Sequence, residues 1–209
     1  VSNMQEVAAR GGRIILNSAD LYEPVSNAGT ITANGGYSSA YLQSNTGVIN
    51  VSSGATLDLG YSLGQNDGTI KIAGTLLVGG GGGGAPTPKY FGGSFWNNGV
   101  ISGSGTLSIS GGYGYLENAG ILKPNGTLTI DGDLYFDGGS SLNIDIASST
   151  NYDKLKVTGY TSFNSMPSAP TFGAITALGA APFVKVTYQT GVAFAAGTNF
   201  DVITSANGM

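Results

Sequence analysis

Asn66-Asp67-Gly68-Thr69-Ile70-Lys71-Ile72-Ala73-Gly74-Thr75-Leu76 holds two short alternating runs joined by a glycine. Ile70 and Ile72 alternate with Thr69 and Lys71, and after Gly74 a second alternation starts at Thr75-Leu76. Period two over four or five residues reads as a strand with one buried face, and the glycines between such runs read as corners. The first half of the stretch recurs as Asn27-Ala28-Gly29-Thr30-Ile31, Asn45-Thr46-Gly47-Val48-Ile49, Asn97-Asn98-Gly99-Val100-Ile101 and Asn118-Ala119-Gly120-Ile121-Leu122. Successive glycines lie 18, 21, 31 and 21 residues apart. The second half returns as Gly54-Ala55-Thr56-Leu57, Gly105-Thr106-Leu107 and Gly126-Thr127-Leu128, always six or seven residues after the first glycine. The 31-residue interval holds Gly79 to Gly84 and a Pro-containing run to Phe91, which reads as a loop inserted at one corner, 79–95.

A period of about 20 residues with short strands and glycine corners predicts an all-β chain, a parallel β-solenoid with three strands per coil. Equivalent residues of successive coils then stack at about 4.8 Å. Ile31, Ile49 and Ile70 fall on one inner face, and Leu57, Leu107 and Leu128 on another. Asn27, Asn45, Asn66, Asn97 and Asn118 form a corner ladder whose amides bond the backbone and the next coil. Gly29, Gly47, Gly68, Gly99 and Gly120 supply a positive φ or a tight corner two residues later. Thr56, Thr75, Thr106 and Thr127 are expected as one outward column. Residues 1–159 are read as the solenoid and 160–209, where the period breaks, as strands that cap the last coil or assemble with another chain. Gln5 to Arg10 read as one helical turn.

Composition removes many functions. The chain has neither Cys nor His, so disulfides, thiolate or imidazole metal sites and His-based catalytic triads are excluded. Its net charge is −4 and its Lys and Arg are scattered singly along the sequence, which argues against a nucleic-acid partner. No apolar run approaches the roughly 20 residues of a membrane helix. Residues 1–16 carry Glu6, Arg10 and Arg13 around one short apolar run, so no signal peptide is expected within them. The Gly79–Gly84 run lacks the Lys-Ser/Thr ending of a phosphate cradle. Asp58, Asp67, Asp131, Asp133, Asp137, Asp145 and Asp153 are spread along the strands with no paired-carboxylate signature. Asp131, Asp133 and Asp137 together offer the oxygen ligands calcium takes, but the calcium nonapeptide repeat is absent. The expectation is a non-enzyme without cofactor or metal.

Aromatics recur in the third strand of the coil: Tyr41, Tyr61, Tyr113, Tyr115 and Tyr135, with Phe95 and Trp96. They read either as a packed stack or as a carbohydrate-stacking stripe. Tyr90, Phe91, Phe95, Trp96, Tyr113 and Tyr115 are the candidate interaction residues.

Three stretches carry a family likeness: Gly120-Ile121-Leu122-Lys123-Pro124-Asn125-Gly126-Thr127-Leu128-Thr129-Ile130-Asp131-Gly132, Gly139-Ser140-Ser141-Leu142-Asn143-Ile144-Asp145-Ile146 and Tyr152-Asp153-Lys154-Leu155-Lys156-Val157-Thr158-Gly159. With Gly197 to Ile203, they resemble the C-terminal part of bacterial autotransporter passenger domains and haemagglutinin-like β-helix adhesins. The resemblance implies a right-handed parallel β-helix on the outside of a bacterium and carries over no catalytic residue. The expected function is an extracellular structural or adhesive scaffold that self-associates end to end, or binds other surface proteins, host molecules or glycans. The alternative is a carbohydrate-binding or carbohydrate-cleaving β-helix module, as in a phage fibre.

Overall fold

The computed structural model describes residues 11–60, 63–79, 94–109, 114–163, 183–189 and 198–208. Within them the chain is all-β, a parallel β-solenoid of three strands per coil. The helical turn expected at Gln5–Arg10 lies outside the described residues. β1 (Arg13–Asn17) and β2 (Asp20–Asn27) open the column, and β3 (Thr30–Asn45) runs through all three faces of the next coil. Gly36 lets β3 turn a corner unbroken: its φ is +60°, and a Cβ there would overlap the Ser18 hydroxyl.

The following coils are β4 (Val48–Val51), β5 (Ala55–Asp58) and β6 (Gln65–Asn66), then β7 (Thr69–Ile72), β8 (Thr75–Val78) and β9 (Ser94–Asn97). Next come β10 (Val100–Gly103), β11 (Thr106–Ile109) and β12 (Tyr115–Asn118), and then β13 (Ile121–Pro124), β14 (Thr127–Asp131) and β15 (Asp133–Phe136). The last are β16 (Ser141–Ile146), β17 (Lys154–Val157) and β18 (Thr161–Ser162), followed by β19 (Phe183–Tyr188) and β20 (Ile203–Ser205). From β4 to β17 each strand pairs in parallel with the one three places later. The tail strands obey the same rule: β18, β19 and β20 stack on β15, β16 and β17, so the column continues past residue 160. Among the described residues the first face has eight layers, which span about 34 Å.

The core is one column of inward side chains. Ile14, Ile31, Ile49, Ile70, Ile101, Leu122 and Leu142 form one unbroken row, and Leu57, Leu76, Leu107, Ile130 and Val157 a second. The second row corrects the sequence reading. Thr129 and Ile130, not Thr127 and Leu128, stand opposite Thr106 and Leu107. Four residues separate Pro124 from Thr129, where two separate Gly103 from Thr106, so β14 slides by two positions. A slip of two preserves side-chain parity, and Leu128 and Ile130 are both fully buried. The outward threonine column therefore runs Thr56–Thr75–Thr106–Thr129.

Two further expectations shift. Ser94 and Phe95, placed in the inserted loop, belong to β9, and 80–93 lie outside the described residues. Three of the lysines, isolated in sequence, come together on the first face: Lys71 and Lys123 stand in register through Ser102, and Lys185 stands in register with Asn143.

Candidate functional site

The asparagine ladder occupies one corner of the column. Asn27, Asn45, Asn66, Asn97 and Asn118 are almost fully buried, and the Nδ2 of each of the first four donates to the Oδ1 of the next at 2.6–2.7 Å. The second hydrogens of Asn66, Asn97 and Asn118 reach the carbonyls of Gly68, Gly99 and Gly120 at 3.2 Å. Every donor and acceptor named is internal, so the ladder offers nothing to a ligand. None of the five glycines takes a positive φ, and what requires them is packing: a Cβ on Gly68 would overlap the backbone oxygen of Gly47, and Gly29, Gly47, Gly99 and Gly120 meet the same obstacle. One coil on, Phe136 takes the asparagine's place and stacks on Phe163 at 4.9 Å and 4°. The corner changes there from hydrogen bonding to ring stacking.

The third face carries the chemistry that points outward. In β9 the neighbours Phe95 and Trp96 separate sharply: Phe95 is 0 % exposed and Trp96 49 %. Phe95 is thereby corrected from an interaction candidate to a core residue, because its register with Leu116 and, beyond it, Leu134 turns it inward. Tyr90, Phe91 and Tyr113, the other interaction candidates, lie outside the described residues, as does Tyr61. Trp96, Glu117 and Tyr135 stand in register on consecutive coils. The adjacent outward row is Ser94, Tyr115 and Asp133, whose Oδ1 accepts from the Tyr160 backbone N–H at 2.7 Å. Tyr115 meets Tyr135 edge-on, centroids 5.7 Å apart at 87°, and Tyr135 lies 6.4 Å from Tyr160. Tyr115 and Tyr135 are half-buried and Tyr160 is exposed.

Glu117 was not among the sequence candidates. Its carboxyl is held above the usual carboxylate range, first by partial burial between its neighbours and then by the nearby charge of Asp137. A signal for it existed in the period-two pattern, since Tyr115 and Glu117 alternate with inward Leu116 and Asn118. Its neighbours Trp96 and Tyr135, 21 and 18 residues away in sequence, became visible only with the coil register.

The remaining carboxylates serve the scaffold. Asp153 is buried and accepts from the backbone N–H groups of Gly126 and Asp145. Asp131 accepts from Ser108 and Thr158 on the two flanking coils, and Asp67 from Gln65 and Asn98. Asp58 accepts from Tyr37 and the Gly60 N–H. Among the described residues no group of three or more acidic side chains is placed to hold a metal ion. Among them, too, no helix is long and apolar enough to cross a membrane. No family model matches the chain, and no curated protein or solved structure matches it either.

Proposed function

We propose that this chain is a stiff extracellular scaffold of a bacterial surface or secreted protein, acting through structural and adhesive contacts without catalysis. The observation that carries this reading is the single apolar column, bordered by the asparagine ladder, that runs through successive coils. Such a core fixes outward side chains at a constant inter-coil spacing of about 4.8 Å while leaving their identity free. The resemblance of 120–159 to passenger-domain coils supports the extracellular assignment.

The C-terminal end supports self-association. Val184, Val186 and Tyr188 occupy the inward rows of Leu142, Ile144 and Ile146, yet they are 41 %, 38 % and 58 % exposed. At the opposite end the corresponding inward residues Ile14 and Leu16 are buried. Among the described residues no layer follows β19, and exposed apolar side chains such as Val184 and Val186 favour a second copy laid over them. Light scattering across a concentration series tests this. The expected mass rises above the 21.0 kDa of one chain and returns to it in Val186→Asp, with an unchanged circular-dichroism spectrum. A wild-type mass fixed at one chain up to the highest concentration would remove the self-assembly. Release of reducing ends from a polysaccharide would remove the non-catalytic reading.

A further inference from the structure

We infer that the face formed by β9, β12, β15 and β18 binds a linear, neutral polysaccharide laid along the column axis, its sugar rings on Trp96 and Tyr135 and its hydroxyls on Glu117. This goes beyond the scaffold role and does not depend on self-association.

Trp96 is the only tryptophan in the chain, and its indole stands half exposed on a regular strand whose inward neighbours are fully buried. An indole there adds little to the core, and its flat apolar face with a polar N–H suits a ligand that is apolar on one side and wet on the other. The C–H face of a sugar ring has that character. Trp96 and Tyr135 sit two coils apart, about 9.6 Å along the axis, with Glu117 between them. Tyr115 and Tyr160 continue the aromatic surface in the neighbouring row. Rings spread over four successive coils match an extended chain better than a compact molecule.

Glu117 supplies the polar contact. It makes no hydrogen bond among the described residues, and it is partly buried in the row between Trp96 and Tyr135. A desolvated acceptor without a donor gains from hydroxyl groups brought to it. Charge then narrows the ligand. Strands β6, β9, β12, β15 and β18 contain no Lys or Arg, while Glu117, Asp133 and the adjacent Asp137 make the face acidic. Polyanions, including acidic glycans and nucleic acids, are repelled. A small organic cation would satisfy the charge, but it calls for rings gathered around one point, and these are strung along an axis.

The test uses the whole chain and reads Trp96 directly. Tryptophan emission and affinity gel electrophoresis are followed with hydroxyethyl cellulose, mixed-linkage β-glucan, xylan and galactomannan, with polygalacturonate and choline as comparators. At least one neutral polymer is expected to retard the protein and shift its emission to the blue. Trp96→Ala and Tyr135→Ala are expected to weaken retardation roughly tenfold, and Glu117→Gln several-fold. Melting curves by circular dichroism establish that the variants fold, so loss of binding is not loss of structure. Absence of retardation by every neutral polymer overturns the inference. So does binding that survives Trp96→Ala unchanged, or binding confined to polygalacturonate or choline.

Discussion

Asn66→Ala removes the middle rung of the buried ladder. Asn66 accepts from Asn45 at 2.6 Å and donates to Asn97 at 2.7 Å and to the Gly68 carbonyl at 3.2 Å. The substitution leaves the Asn45 donor and the Asn97 acceptor facing each other across a gap in a fully buried corner. An orphaned buried polar group costs about 1–3 kcal/mol, so two of them place the loss at about 2–6 kcal/mol. Asn118→Ala is the internal comparison. Asn118 ends the ladder, since the next coil has Phe136, and its removal strands only one amide, that of Asn97, which keeps its bond to Gly99. The expected loss there is about half that of Asn66→Ala. Urea unfolding followed by Trp96 emission is the assay, because Trp96 adjoins the ladder residue Asn97 and reports the affected coil. Solenoids melt coil by coil when neighbouring interfaces are weakened. A broadened transition that begins at this coil is therefore the expected form of the Asn66→Ala curve. Equal losses in the two variants, or a loss under about 1 kcal/mol for Asn66→Ala, would refute the idea that the ladder is a chain of mutually dependent bonds.

Two further outcomes are expected. Phe95→Ala is expected to cost about 3–5 kcal/mol by opening a cavity in the third inner row, and Trp96→Ala less than about 0.5 kcal/mol, both read from urea midpoints by circular dichroism. Similar costs for these adjacent residues would contradict the inward–outward assignment of β9. Tyr37 donates to Asp58, and that bond, with partial burial behind it, pushes the phenol up to about 12. The unfolded chain releases the same proton near 10, so between about pH 10 and 12 the folded state binds more protons. The resulting stability is complete below pH 10 and is lost as pH rises toward 12. Tyr37→Phe is expected to flatten this part of the profile, and 295 nm absorbance to show one late-titrating tyrosine fewer. An alkaline stability loss identical in wild type and Tyr37→Phe would refute the assignment.

The strand periodicity, the glycine corners and the five-asparagine register could be read directly from residue order, because each depends on a short motif repeated at a nearly fixed interval. Alternation of two fixes which side chains enter the core, and a column whose coils contact only their neighbours leaves few other ways to stack them. Residue order was less informative wherever coil length changes. The two extra residues before Thr129 shifted β14 without disturbing the hydrophobic alternation, so the slip of Leu128 past Leu107 left no mark in the pattern. The inserted loop likewise hid Phe95 and Trp96 from their strand. The surface chemistry was decided by tertiary structure alone. Lys71 and Lys123 are isolated in sequence and share a row only because two coils separate them. Trp96, Glu117 and Tyr135 come together for the same reason. Composition and local pattern determine that a column forms and what fills it. Which outward side chains become neighbours depends on the exact length of every coil, and that is settled only when hydrogen bonds lock one layer onto the next.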